Sequence, residues 1–458
     1  MTREHTRIQS TLLELFSRDS IVFLVVSLLL VSLVVETAFI RISGFVGASD
    51  PRMDIKAFTA LEIFCLISQI ILLNFVHKKI SKFIPLHKSL IRIVHKAILL
   101  TQFGIIAVLV LMLCEIIVTF RYHLVLLQTV FFISFFTAAC VMSLLSSTFI
   151  IWLKSNLNRL TLTYLLASTC LSLGTIIGIV YVLVQLSDIS IPDVVRPKLF
   201  GEFVMHSNIG NPLLSDAYTI FSAIAFILLW IGTVFLLQSY RRRLGTIKYW
   251  IIMSIPLVYF LSQFEPLILN VLFSGTLANP IVFSILYVAI VVASRPIGGI
   301  LFGLSFMQIA RKLQHPEVKS YMTISAIGLL LLLVSYQAQV LITAPFPPFG
   351  LLSVSFMGLS SYLIFIGIYS SAISVSEDSR LRASIRRSVE TEVNFIENIG
   401  SAQMERSIME KVLKIQKNIS EGMREKTGIA TSLTEKEIVQ YVEQVLEETR
   451  KKGDINAL

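Results

Sequence analysis

Ten runs of about twenty apolar residues, separated by short basic or Gly/Pro-containing connections, make a lipid bilayer the solvent in which this chain folds. A helix rises about 1.5 Å per residue and the hydrocarbon layer is roughly 30 Å thick, so each run has the length of one membrane-spanning helix. The runs are continuous rather than alternating, which excludes strands as spanning elements. Composition agrees, since 55 % of residues are hydrophobic and 15 % charged, with a mean hydropathy of +0.78, far from a soluble domain. The expected fold class is all-α: a polytopic transmembrane helical bundle of about ten spans with a small C-terminal cytoplasmic helical region.

The spans are read at 21–40, 57–76, 97–120, 124–153, 160–186, 217–240, 249–274, 281–310, 321–343 and 351–373. The first run is followed by Glu36 and Arg41 instead of a small-residue cleavage site, so a retained first span is expected rather than a signal peptide. With the amino terminus inside, the cytoplasmic connections carry 18 Lys and Arg and the opposite side six. Basic segments resist translocation, and the imbalance predicts a cell-membrane protein with both termini cytoplasmic. From Ser376 onward 14 basic residues face 15 acidic ones, so the net charge of +10 resides in the membrane portion. That placement points to anionic lipids at the cytoplasmic face and not to nucleic acid.

The expected organisation is a cytoplasmic segment at 1–20, the bundle at 21–373 and a cytoplasmic tail at 374–458. Within the bundle, 77–96 is basic and has the pattern of an interfacial helix, with Leu86, Leu90, Ile91 and Val94 on one face. The extracytoplasmic loop 187–215 is long enough to cap the bundle. In the tail, Ile408, Val412, Ile415 and Ile419 are spaced four, three and four, as in short coiled-coil packing. Thr434 and Glu437 suit a capping box for a last helix. Such stripes must pack on each other, on the bundle, or on another chain, which makes a cytoplasmic protein or a second copy the candidate partners.

Ionisable groups inside hydrocarbon are costly and therefore mark candidate sites. Glu36, Glu62 and Glu115 each lie about five residues from the outer end of a span, roughly 7 Å below the surface, and could form an acidic ring. The bland reading pairs each with Arg41, Lys56, Arg121 or His123. Glu265 and Arg295 lie 15 residues either side of Pro280, so they are expected to meet level in a helical hairpin. Pro256, Pro266, Pro296, Gly298 and Gly299 are the expected helix breaks around that pair, of the kind that exposes backbone to a substrate or ion in transporters. Gln69, Gln102, Gln128, Gln263, Tyr336, Gln337 and Gln339 are further polar residues within spans.

No histidine falls within a span as drawn, and neither HExxH, GxxxxGK[ST] nor GxSxG occurs. The four cysteines lie in apolar runs without metal-ligand spacing. No cofactor or metal is expected, and an enzyme is the weaker reading. The sequence favours a transporter or permease for a small solute or ion, with a sensor or scaffold recruiting a partner through its tail as the alternative.

Overall fold

The computed structural model describes residues 18–42, 51–81, 89–188, 194–195, 212–264 except 239, 294–336 except 314, 346–378, 382, 391–427 and isolated positions between 437 and 445. Helices α1 (Arg18–Ile42), α2 (Pro51–Ile80), α3 (Ser89–Thr119), α4 (Leu124–Ser155), α5 (Arg159–Asp188) and α6 (Pro212–Leu236) come first. They are followed by α7 (Tyr240–Leu244), α8 (Thr246–Leu261), α9 (Ser294–Lys312), α10 (Pro316–Ser335), α11 (Leu351–Ser355), α12 (Met357–Glu377) and α13 (Thr391–Thr427).

Among the described residues, seven helices are long and apolar enough to cross a membrane: Arg52–Ile80, Ile91–Thr119, Leu124–Ser155, Arg159–Val184, Pro212–Leu236, Pro316–Ser335 and Leu351–Glu377. The molecule is a multi-pass, all-α membrane bundle. Val22–Ala38 and Thr246–Leu261 are shorter apolar helices at the expected first and seventh spans. The eighth is represented by α9, whose 19 residues begin at Ser294. Parts of spans seven, eight and nine, with Glu265, Pro266, Gln337 and Gln339, lie outside the described residues.

The α11–α12 rod occupies the centre, and its whole apolar stretch is buried by protein. Small residues allow the approach. A Cβ at Gly328 of α10 would stand 2.8 Å from the Ser360 carbonyl oxygen and the Ile364 nitrogen. A Cβ at Gly367 of α12 would stand 2.5 Å from the Tyr321 carbonyl oxygen, and one at Gly303 of α9 would stand 2.9 Å from that of Ala326. Backbone therefore packs on backbone through α9, α10 and α12, as membrane helices do when dispersion rather than water exclusion holds them together. Peripheral helices turn apolar side chains outward, among them Leu100, Leu111, Val118, Leu166, Ile255 and Val258. Those side chains suit lipid tails.

The bundle has two distinct ends. At one, β1 (Tyr122–His123) pairs antiparallel with β2 (Val194–Val195), and Tyr122 stacks on Phe346 at 6.2 Å. The rest of the 187–215 loop between Ile189 and Asn211 lies outside the described residues. At the other end, α13 lies across the bundle. Phe395, Ile396, Ile399 and Ala402 are buried there, Trp152 Nε1 donates to Gln403 Oε1 at 3.0 Å, and Asn156 donates to Asn398 at 3.2 Å. Of the options open to the tail's apolar stripe, its first turns take the bundle itself. Beyond Gln403 the helix continues with Ile415, Ile419 and Met423 exposed.

The 77–96 segment differs from a separate interfacial helix. His77 to Ile80 complete α2 and Ser89 to Lys96 open α3, while 82–88 lies outside the described residues. Both helices overshoot the apolar runs because the basic side chains at their ends extend along the helix toward the headgroups. The overshoot carries His77 and His95 into helices that pack on the bundle, although neither fell within a span as read from the sequence.

Candidate functional site

Glu36 is fully buried on α1 and caps α11. Its carboxylate accepts from the backbone N–H groups of Gly350 at 2.6 Å, Leu352 at 2.9 Å and Ser353 at 2.9 Å, and from the Ser353 hydroxyl at 2.7 Å. The first N–H groups of a helix have no partner within it, and here the missing acceptor comes from another helix. Gly350 sits at φ +90°, a left-handed conformation that favours glycine and delivers these N–H groups together.

Glu62, on α2, is equally buried, and among the described residues both of its carboxylate oxygens lack a hydrogen-bond partner. It stands close enough to Glu36 for the two charges to repel, with Cys65 one turn further along α2 beside both. The two glutamates thus lie near each other with their oxygens in opposite states. Glu36 has its acceptor capacity filled by α11, and Glu62 has nothing.

From Glu62 a row of polar side chains continues toward the α13 end. Gln69 Nε2 donates to the Ser355 hydroxyl at 2.7 Å, and Gln102 Nε2 donates to the Ser355 carbonyl oxygen at 3.2 Å. All three are buried. Ser355 ends α11, where the rod slips at Phe356 before α12 resumes, and the two glutamines hold that break. Two turns on, the Tyr362 hydroxyl bonds His95 Nδ1, and His95 Nε2 lies 3.0 Å from His77 Nδ1. His95 and Tyr362 are buried, whereas His77 is exposed. The imidazole rings of His77 and His95 stack at 5.3 Å.

The row follows helix geometry. Glu62 and Gln69, His95 and Gln102, and Ser355 and Tyr362 are each seven residues apart, two turns along one face of α2, α3 and the rod. Glu62 to His77 is 15 residues, roughly 22 Å at 1.5 Å per residue, most of the hydrocarbon thickness.

Glu115 does not join this pocket in the bonds it makes. Its carboxylate pairs with the His123 imidazole and accepts from the His123 backbone N–H at 3.2 Å, tying α3 to β1. Of the three carboxylates expected in a ring, Glu36 and Glu62 meet and Glu115 bonds locally. Sequence reading did not single out Ser355, Tyr362, His77 or His95. The steps of seven that link them were present as a signal.

Arg295 opens α9. Its Nη1 donates to the Tyr336 carbonyl oxygen at 2.5 Å, and its guanidinium lies 5.7 Å from the centre of the Tyr336 ring. That carbonyl follows the last turn of α10, where backbone acceptors are unfilled and a cation is favoured. Tyr336 stacks on Tyr218 at 5.3 Å. Because Glu265 lies outside the described residues, the expected ion pair does too.

The expected breaks resolve individually. Pro256 lies inside α8, and Pro296 lies buried within the described part of α9. Gly298 and Gly299 lie within unbroken α9, where Cβ atoms would stand 2.2 Å from the Phe226 ring and 3.1 Å from the Leu330 carbonyl oxygen. They are packing contacts of a continuous helix. The interruption in the rod at Phe356 has no proline or glycine at the break.

Among the described residues no group of three or more His, Cys, Asp or Glu could hold a metal ion. Cys65 is buried, Cys170 half-buried, and Cys114 and Cys140 are exposed, all as free thiols. Against known protein families, curated proteins and solved structures, no match to this chain was found.

Proposed function

We propose that this chain is a permease for a small solute or ion, resident in the cell membrane with both termini cytoplasmic, and that Glu62 is its working carboxylate. The observation that carries this reading is the contrast between Glu62 and Glu36. An ionised carboxylate without hydrogen bonds inside a bundle is costly by several kcal/mol, so Glu62 is stable only while it holds a proton or another cation. A group that must be loaded, set beside a broken helix, meets the requirement of a carrier site. Glu36 is the fixed member that shapes the pocket, and Arg295 holds the end of α10.

In this orientation the Glu36 end faces outward and α13 lies in the cytoplasm. The exposed Arg241, Arg242 and Lys248 then meet anionic headgroups at the inner face. The test is purified protein in vesicles, with radioactive sodium and a pH-sensitive dye as probes. Flux of either probe that depends on Glu62, abolished by Glu62→Gln, supports the permease. No flux of either by the intact protein overturns it.

One observation favours a second reading, a sensor or scaffold that recruits a cytoplasmic partner. It is the exposed Ile415, Ile419 and Met423 on the far part of α13. Deleting 407–458 separates the two readings. Unchanged flux favours the permease alone, and loss of a co-purifying protein with no flux at any stage favours the scaffold.

A further inference from the structure

Resting on the permease reading, we infer that the ion is a proton and that it passes between Glu62 and the cytoplasm by way of Tyr362, His95 and His77.

The first argument is coordination. A hard metal cation collects about six oxygen ligands, whereas a proton needs one carboxylate oxygen. Around Glu62 the facing titratable groups are Glu36 and Cys65, and the Glu36 oxygens already accept four hydrogen bonds. Glu62 by itself is sufficient only for a proton.

The second argument is direction. Tyr362 has a hydroxyl proton to give, and when it donates to its partner His95 Nδ1 that nitrogen is the unprotonated one. His95 Nε2 consequently carries the proton and donates to His77 Nδ1, leaving His77 Nε2–H for the solvent that reaches this exposed residue. The three groups therefore point their donors one way, from the bundle interior to the cytoplasm. A proton arriving at the Tyr362 oxygen pushes the hydroxyl proton to His95 Nδ1, the Nε2 proton to His77 Nδ1, and the His77 Nε2 proton to water. One proton enters, one leaves, and the ring tautomers are inverted. A second transfer in the same direction requires reorientation of the Tyr362 hydroxyl and of both imidazole rings about their Cβ–Cγ bonds.

The third argument is that a structural role would not require two imidazoles. A Tyr hydroxyl buried in a bundle is satisfied by any backbone carbonyl, as the Tyr249 hydroxyl is by that of Val234 at 2.8 Å. At Tyr362 the acceptor is instead a buried imidazole backed by a second one at the surface. The cations flanking the exit are Lys78 and Lys79 on α2 and Arg92 and Lys96 on α3, with Lys79 donating to Ser320 of α10 at 3.5 Å. Between Glu62 and Tyr362 lies the Ser355 hydroxyl, which accepts from Gln69 at 2.7 Å and donates to the Leu352 carbonyl oxygen at 2.6 Å, so the ordered donors of the route begin at Tyr362.

The experiment uses the full chain in vesicles containing a pH-sensitive dye, with a potassium diffusion potential as driving force and radioactive sodium uptake measured in parallel. The expected result is proton entry by the intact protein, reduced to the rate of empty vesicles in Glu62→Gln and Tyr362→Phe. Tyr362→Phe keeps the ring and removes only the relay oxygen, and its folding is checked by gel filtration in detergent. Full proton flux in a folded Tyr362→Phe protein overturns the route. Sodium uptake with a silent dye overturns the proton while leaving the permease standing, and silence of both overturns both. An independent readout is dicyclohexylcarbodiimide, which adds only to a protonated carboxyl in an apolar setting. Mass spectrometry should find the adduct at Glu62, and an unmodified Glu62 in the folded protein overturns the proposal.

Discussion

Glu36 of α1 accepts both the backbone N–H and the hydroxyl of Ser353, 317 residues further along the chain, at 2.9 and 2.7 Å. The bond joins the first helix of the bundle to the start of its central rod. A carboxylate that elsewhere would be a liability in hydrocarbon is here the missing acceptor for a helix end.

Replacing Glu36 therefore acts on folding before it acts on flux. Glu36→Ala leaves the N–H groups of Gly350, Leu352 and Ser353 without their acceptor, and a buried hydrogen bond to a charged group contributes about 1.5–3 kcal/mol. We expect a loss of about 3 kcal/mol or more, read as a lowered unfolding midpoint in detergent. Glu62→Ala has no such bonds to break and should leave the midpoint unchanged or raised. Equal destabilisation by the two variants would contradict the capping role.

The central crossing gives a second expectation. Gly367→Ala places a Cβ 2.2 Å from Ser325 Oγ and 2.5 Å from the Tyr321 carbonyl oxygen, which forces α10 and α12 apart. Overpacking of this kind costs about 1–3 kcal/mol. Gly104→Ala meets nothing within 4 Å and exchanges a poor helix former for a good one, so it should be neutral or stabilising. Thermal unfolding of the two proteins side by side checks the pair.

Arg295 offers a third. With its Nη1 on the Tyr336 carbonyl oxygen, Arg295→Gln removes a charge-assisted bond at the end of α10. The loss should be about 1.5–3 kcal/mol and should persist when Glu265 is also replaced by Gln, because the carbonyl remains without its donor. A stability restored to that of the intact protein in the double variant would assign Arg295 to Glu265 instead.

What the sequence made legible follows from the range of the forces involved. Apolar runs of span length are local, and among the described residues seven helices long and apolar enough to cross a membrane lie on seven of the ten runs. The glutamates at 36 and 62 stood out because charge in hydrocarbon is rare at any register. The roles of the two were not legible, since the difference between them is a set of N–H groups more than three hundred residues away. The slip at Phe356 has no proline or glycine of its own, whereas Gly298 and Gly299, which suggested a break, serve close contact with Phe226 and α10. His95 was placed in a connection because the apolar run begins at Ala97, yet the chain is already helical from Ser89 on. The step of seven from His95 to Gln102, matched by Glu62 to Gln69, was the available clue.

The tail supplies a last expectation, because α13 divides into a part with buried apolar side chains and a part with exposed ones. Phe395, Ile396, Ile399 and Ala402 are buried against the bundle, and Gly400 passes so near α12 that a Cβ would stand 2.3 Å from Val375 Cγ1. This end of the bundle lies in water in the proposed orientation, so burial of each large side chain contributes about 1.5–3 kcal/mol. Deleting 391–458 should therefore lower the unfolding midpoint and expose the apolar surroundings of Trp152, which also loses its bond to Gln403. Deleting 407–458 removes the exposed Ile415, Ile419 and Met423 and keeps every described residue of α13 that is buried, so the midpoint should stay within about a degree or two. Gly400→Val tests the contact without truncation, and it should match the longer deletion in stability while leaving the far part of the helix intact.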